Sequence, residues 1–301
     1  MNADSVVFRG YTAAELAAQY SARAAVPEHP AIFERWRAAS AAHREAELAA
    51  GRARLGLAYG SGVRQQLDLF LPAVEEPPLH VFLHGGYWQA MDRSDFSFVA
   101  QGLAAAGLAT AVVGYPLCPS VAMGDIVACA RRALCWLLRE CSMLGLGQGP
   151  VTVSGHSAGG QLALLLAQTE WRALDPALPP DPIAGVLPVS GIFELEPLIH
   201  TPLNDALQLD VRQARRWSPV GMPPPAAGVR LDAWVGADES AEFHRQSRAL
   251  AEHWDAHRSP AAYRPLPGHN HFTILDALYA PGGELPAAAA ALQQEAASGD
   301  R

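Results

Sequence analysis

Residues 151–167 constrain this chain more than any other stretch. The β-branched run Val151-Thr152-Val153-Ser154 leads into Gly155-His156-Ser157-Ala158-Gly159, and apolar helix formers follow from Gln161 to Ala167. Strand, glycine-flanked serine and helix in that order make a nucleophile elbow, a sharp turn that lifts a serine hydroxyl above the end of a sheet strand. A bare G-x-S-x-G also occurs in inert strand–helix turns. Here the flanks fit the chemistry, and Ser157 is the candidate nucleophile.

The rest of the chain supplies a sheet for that elbow. Residues 55–59 and 66–71 alternate as two strands of a hairpin across Gly60-Ser61-Gly62. Leu79–Leu83 and 108–113 are short and almost wholly apolar, as expected of strands buried on both faces. Residues 183–189, 230–235 and 261–266 read as further strands, although Pro188 weakens the ladder of the first. Helices are expected at about 94–106, 122–143, 240–257, 272–279 and 285–297. Strands alternating with helices from residue 79 onward predict an α/β domain with a mostly parallel sheet flanked on both faces, its loops gathered at one edge. Residues 1–50, Ala/Glu/Arg-rich and broken at Pro27 and Pro30, read as an N-terminal helical extension over the core or the mouth of a site. The α/β domain then spans 51–301, with a cap-like insertion at about 190–228.

Charge and cysteine content narrow the function classes. The chain of 301 residues carries 22 Lys+Arg against 30 Asp+Glu, a net charge of −8. With no basic block, neither nucleic acid nor an anionic membrane is an expected partner. The first ten residues lack the pattern of a secretory signal, and no apolar run reaches the roughly 20 residues of a membrane span. Cys118, Cys129, Cys135 and Cys141 contain no C-x-x-C pair and read as free thiols of a cytoplasmic protein. His253 and His257 are spaced i,i+4 without a third ligand, so no metal and no cofactor is expected. A homodimer is compatible with the sequence.

A serine hydroxyl needs a base to take its proton, and in this architecture acid and histidine follow the serine, each from a loop at a strand's C-terminal end. The loop Gly236-Ala237-Asp238-Glu239 offers Asp238 as the expected acid, with Glu239 as the alternative; an N-cap for the following helix would also explain Asp238. After the last strand, Pro267-Gly268-His269-Asn270-His271-Phe272 offers two histidines. His271 is favoured because the apolar helix start at Phe272 anchors it, whereas His269 reads as a loop residue. The oxyanion of a tetrahedral intermediate needs backbone N–H donors. Ala158, after the serine, supplies one. Gly85, Gly86 and Tyr87 of the loop His84-Gly85-Gly86-Tyr87-Trp88 supply the rest. Tyr87 and Trp88 are expected to wall a pocket for a flat substrate.

These residues resemble a known family. His84–Trp88 matches the H-G-G-x-W motif of the α/β-hydrolase kynurenine formamidases (arylformamidases), related to the hormone-sensitive-lipase-like esterases. Residues 189–198 with 204–207, and the acid-bearing stretch 235–247, look like the same family. His271-Phe272 matches its catalytic histidine-phenylalanine step, a second reason to favour His271. The resemblance spans roughly residues 55–280. It implies an α/β-hydrolase fold and hydrolysis of N-formyl-L-kynurenine to kynurenine and formate through a formyl-serine. The partner would be a small aromatic formamide, or in a carboxylesterase with the same triad, a short-chain or aryl ester.

Overall fold

The structure, a computed structural model, describes residues 5–225 and 228–298; positions 226 and 227 of the expected insertion, and both chain ends, lie outside them. A two-stranded ribbon opens the chain, β1 (Val6–Phe8) and β2 (Tyr11–Thr12). Among the described residues the main sheet has eight strands: β3 (Ala53–Ala58), β4 (Gln66–Phe70), β5 (Leu79–Leu83), β6 (Ala109–Val113), β7 (Val151–His156), β8 (Ile183–Val189), β9 (Arg230–Gly236) and β10 (Ala261–Leu266). Their order is β10-β9-β8-β7-β5-β6-β4-β3. All neighbours from β6 to β10 are parallel; β4 alone runs against them, antiparallel to both β6 and β3. This is an α/β-hydrolase fold.

Among the described residues twelve α-helices surround the sheet. In the extension they are α1 (Ala13–Tyr20), α2 (Ala22–Ala25) and α3 (His29–Ala49). The domain adds α4 (Ala100–Ala105), α5 (Met123–Leu144), α6 (Ala158–Ala167), α7 (Trp171–Leu174), α8 (Asn204–Leu207), α9 (Val211–Arg216), α10 (Ala241–Ala256), α11 (Thr273–Leu278) and α12 (Glu284–Ser298). Among the described residues no helix is long and apolar enough to cross a membrane.

β5, β6, β7 and β8 are buried along their whole length. Strands covered on both faces need not alternate in polarity, which is why they read as continuous apolar runs. Pro188 is accommodated in the sheet centre: the register with β9 pairs Val186 with Leu231 and Val189 with Trp234, passing over Leu187 and Pro188. The ladder yields where the donor is missing. The helix expected at 94–106 is instead a 3₁₀ turn, Arg93–Val99, capped by Asp92, followed by α4.

The N-terminal segment is part of the core. Ile32, Phe33 and Trp36 of α3 are buried against Phe96 and Phe272. Arg44 of the same helix pairs with Asp68, a fully buried carboxylate in β4 that also takes Arg93 and the Gly56 amide. Burying a lone carboxylate would cost several kcal/mol, so this cluster commits α3 to the sheet edge.

Candidate active site

β7 ends on His156, and the chain turns at Ser157 with φ 54° and ψ −117° before α6 begins at Ala158. A non-glycine residue held there costs on the order of 1–3 kcal/mol and persists only where its surroundings enforce it. They do so by close backbone approach. A Cβ on Gly155 would lie 2.2 Å from the Gly159 carbonyl oxygen, and one on Gly159 would lie 2.0 Å from that of Leu83. The Ser157 amide donates to Val189 at 2.8 Å. Ser157 is thereby set at the head of a ten-residue helix, whose amino end favours negative charge.

His271 is 4% exposed and lies beside the elbow. His156 Nε2 donates to its carbonyl oxygen at 2.8 Å, and the two rings are 4.8 Å apart. A carbonyl only accepts, so His156 carries its proton on Nε2. Burial, then the neighbouring His271, pushes the His156 pKa well below its usual value and keeps the ring neutral. Phe243 of α10 covers one face of the His271 ring at 4.6 Å between centroids. Phe272 is clamped edge-on by Phe33 at 5.0 Å. Asn270 accepts from the amides of Phe272 and Thr273, both at 3.0 Å, and so shapes the turn that carries His271.

The acid beside His271 is Glu239, and Asp238 is not in contact with it. His271 Nδ1 lies 2.6 Å from Glu239 Oε2. The other oxygen of that carboxylate accepts from Ser190 Oγ at 2.5 Å and from the Gly236 amide at 2.7 Å. The Glu239 side chain is 1% exposed, whereas Asp238 is exposed. The turn explains the difference. The Glu239 amide donates to Gly236 and the Asp238 amide to His269, and this pairing directs side chain 238 outward and 239 inward. Asp238 does not cap the next helix either, since the N-cap is Ser240. His269 contributes its carbonyl oxygen to this turn, and its ring takes no part in the His271–Glu239 pair.

The loop 84–88 crosses directly over the serine. A Cβ on Gly85 would sit 3.3 Å from Ser157 Cβ and 2.8 Å from His156 Nδ1. Gly86, Tyr87 and Trp88 have φ of 113°, 51° and 57°. That run makes a tight turn, closed by the Gln89 and Ala90 amides donating to the Gly86 carbonyl at 3.0 Å. Among the described residues the amides of Gly85, Gly86 and Tyr87 donate no backbone–backbone hydrogen bond. His84 holds the loop from below: its ring stacks on Tyr115 at 4.2 Å, its Nδ1 donates to Gly85 O at 2.7 Å, and Tyr115 donates to its carbonyl at 2.6 Å. Burial lowers the His84 pKa to about 4.

Trp88 departs from the sequence expectation. It is fully buried, donates from Nε1 to Gln161 on α6 at 3.2 Å, and belongs to the core. The left-handed backbone at 87 and 88 turns the indole inward, so it fastens the loop to the elbow helix and offers no face to a ligand. Tyr87 is half-buried, and its hydroxyl donates to the Tyr20 carbonyl of the extension. Tyr20 in turn donates to Glu242 at 2.7 Å and accepts from Gln246 at 2.6 Å. The end of α1 is thus tied to α10 and to the loop over Ser157.

Residues 67–193 match the family model described as BD-FAE. The chain is 28% identical to the kynurenine formamidase of Danio rerio over 226 residues, 73% of this chain and 75% of that protein. A solved protein of Silicibacter sp. tm1040, described as a candidate thioesterase, superposes with a TM-score of 0.79 at 32% identity, covering 91% of this chain and 98% of that one. The chain is an α/β hydrolase similar to the kynurenine formamidases. Esterase B of Lactobacillus rhamnosis shares the fold, with a TM-score of 0.67 at 22% identity.

Within this family frame, sequence reasoning ranked Glu239 second and passed over Ser190 and His156. The signal for Glu239 was its placement four residues into a Gly-led turn, where a longer side chain reaches farther. Nothing local marks Ser190, whose contact with Glu239 spans 49 residues. Among the described residues no group of three or more His, Cys, Asp or Glu is arranged to hold a metal.

Proposed function

We propose that the protein cleaves aryl formamides, N-formyl-L-kynurenine in the first place, with Ser157 as nucleophile, His271 as base and Glu239 as its acid. The observation that carries this is the strained Ser157 under a glycine loop of unpaired amides, beside a histidine whose Nδ1 is committed to a buried carboxylate. With Nδ1 so committed, Nε2 is the nitrogen left to exchange protons. Ser157 Oγ attacks the formyl carbon as its proton passes to His271 Nε2. The resulting oxyanion receives the amides of Ala158 and of Gly86 or Tyr87, with Gly85 allowing the close approach. His271 then gives the proton to the aniline nitrogen, the C–N bond breaks, and kynurenine leaves. Water, deprotonated by His271, opens the formyl ester to release formate and restore the serine.

The steric setting supports a small acyl group. Ser157 is 2% exposed, and formyl is the smallest acyl group available. Four free cysteines, three of them buried, support a reducing cytoplasmic setting. Ester cleavage by the same machinery is the second reading, favoured by the burial of Trp88, which removes one expected aromatic wall. The deciding experiment compares kcat/KM for N-formyl-L-kynurenine and p-nitrophenyl acetate. Preference for the formamide is expected; ester turnover with negligible formamide cleavage overturns the proposal.

A further inference from the structure

The proposed substrate carries an amino-acid carboxylate on its leaving group, and a buried serine site must meet that charge at its rim. The cations tied to the extension and its neighbours are mostly spent. Arg245 is held by Glu242 at 2.8 Å and Glu194 at 2.7 Å, Arg9 by Glu194 at 3.6 Å, and Arg35 by Asp276 at 2.6 Å. Arg23 of α2 differs. It is exposed, and among the described residues it makes no ion pair and no hydrogen bond; its guanidinium lies over the Phe33 ring at 5.7 Å.

Two chains of contact bring Arg23 to the site. Phe33, beneath it, packs on Phe272 next to His271. Three residues before it, the Tyr20 carbonyl accepts from the Tyr87 hydroxyl in the loop over Ser157. That hydroxyl registers both neighbouring charges: burial and then the Glu239 carboxylate push its pKa up, and the Arg23 cation opposes them. A guanidinium that makes no hydrogen bond keeps its N–H fork free, and that fork matches a carboxylate with two parallel donors.

We propose that Arg23, seated on Phe33 at the rim of the Ser157 site, binds the carboxylate of an aromatic amino-acid leaving group. This rests on the reading of the site as one that releases such a leaving group. Arg23 is then a specificity residue contributed by the N-terminal extension, and it acts on the substrate's tail, remote from the scissile bond.

The test compares wild type, Arg23→Ala and Arg23→Lys on two substrate pairs that differ in the amino-acid group. One pair is N-formyl-L-kynurenine and formanilide, the other O-acetyl-L-tyrosine and phenyl acetate. The readout is the ratio of kcat/KM within each pair, with binding of L-kynurenine by isothermal titration as a readout independent of turnover. Arg23→Ala is expected to lower the ratio fivefold or more, through KM, and to weaken L-kynurenine by the same factor. Arg23→Lys, which keeps the charge without the fork, should fall between. A smaller change in both ratio and binding overturns the proposal. Failure of the formamidase reading looks different: wild type then opens the ester pair and leaves both formamides intact. In that event the ester ratio and the titration still decide the role of Arg23.

Discussion

Glu239→Gln tests the acid that the fold sets against His271, and Asp238→Asn the acid that neighbours it in sequence. The Glu239 carboxylate takes three donors, the His271 ring, the Ser190 hydroxyl and the Gly236 amide. A glutamine can keep its carbonyl oxygen on the last two. Its amide group then faces Nδ1 with a donor, which favours the imidazole tautomer carrying its proton on Nε2, the wrong nitrogen for a base. The negative charge that would stabilise an imidazolium is also gone, at a side chain 1% exposed where water cannot replace it. The corresponding acid-to-amide change in a serine triad lowers kcat by about 10⁴, equivalent to about 5.5 kcal/mol of barrier. Stability should fall far less, by about 1–2 kcal/mol, because one charge-assisted hydrogen bond is lost and two are kept in neutral form. Asp238→Asn, at an exposed site, should leave kcat within about twofold. The assay is kcat on the preferred substrate at neutral pH, with urea unfolding of each variant alongside. A thousandfold loss in Asp238→Asn, with Glu239→Gln active, would refute the assignment.

Two further outcomes follow from the geometry. Gly85→Ala should leave the protein folded and lower kcat by at least about a hundredfold, the scale of a lost oxyanion donor, since the added methyl would sit 2.8 Å from His156 Nδ1 and 3.3 Å from Ser157 Cβ; wild-type turnover in this variant would remove the loop from the oxyanion site. Acid should unfold the protein in a defined window. Burial lowers the His84 pKa to about 4 and that of His80 to about 3, against 6.5 unfolded. The unfolded chain therefore binds the extra protons, and the stability these neutral rings contribute is complete above pH 6.5 and lost as pH falls toward 4, by an amount on the order of a few kcal/mol. Thermal unfolding measured from pH 8 to pH 4 should show Tm falling below 6.5, and a flat profile would contradict the buried neutral state of both rings.

Much of the hydrolase architecture can be read from local pattern. The central strands are apolar because both faces are covered, and the elbow announces itself because a strained serine turn tolerates only glycine two positions to either side. Ser157 and His271 stand out as candidates for that reason, each marked by its immediate neighbours. Less was legible where two elements share one signal. The stretch at 93–105 carries a helical pattern, yet its first half tightens into a 3₁₀ turn under the Asp92 cap. The ribbon β1–β2 turns through Arg9 and Gly10, both at positive φ, a conformation that only the glycine hints at.

What the sequence determined by itself, then, is the order of elements and the positions of the proposed nucleophile and base, since both follow from residues within a few positions of one another. The tertiary structure decided which way side chains face and what they meet. Asp238 and Glu239 are adjacent and chemically alike, and only the Gly236 turn and the distant Ser190 and His271 choose between them. Trp88 looks like a pocket wall until a left-handed backbone and Gln161, 73 residues on, draw it into the core. Tyr20 becomes part of the site's surroundings through a hydrogen bond to Glu242 that spans 222 residues. Orientation at a tight turn depends on φ, ψ and remote partners together, and those partners exist only once the chain has folded.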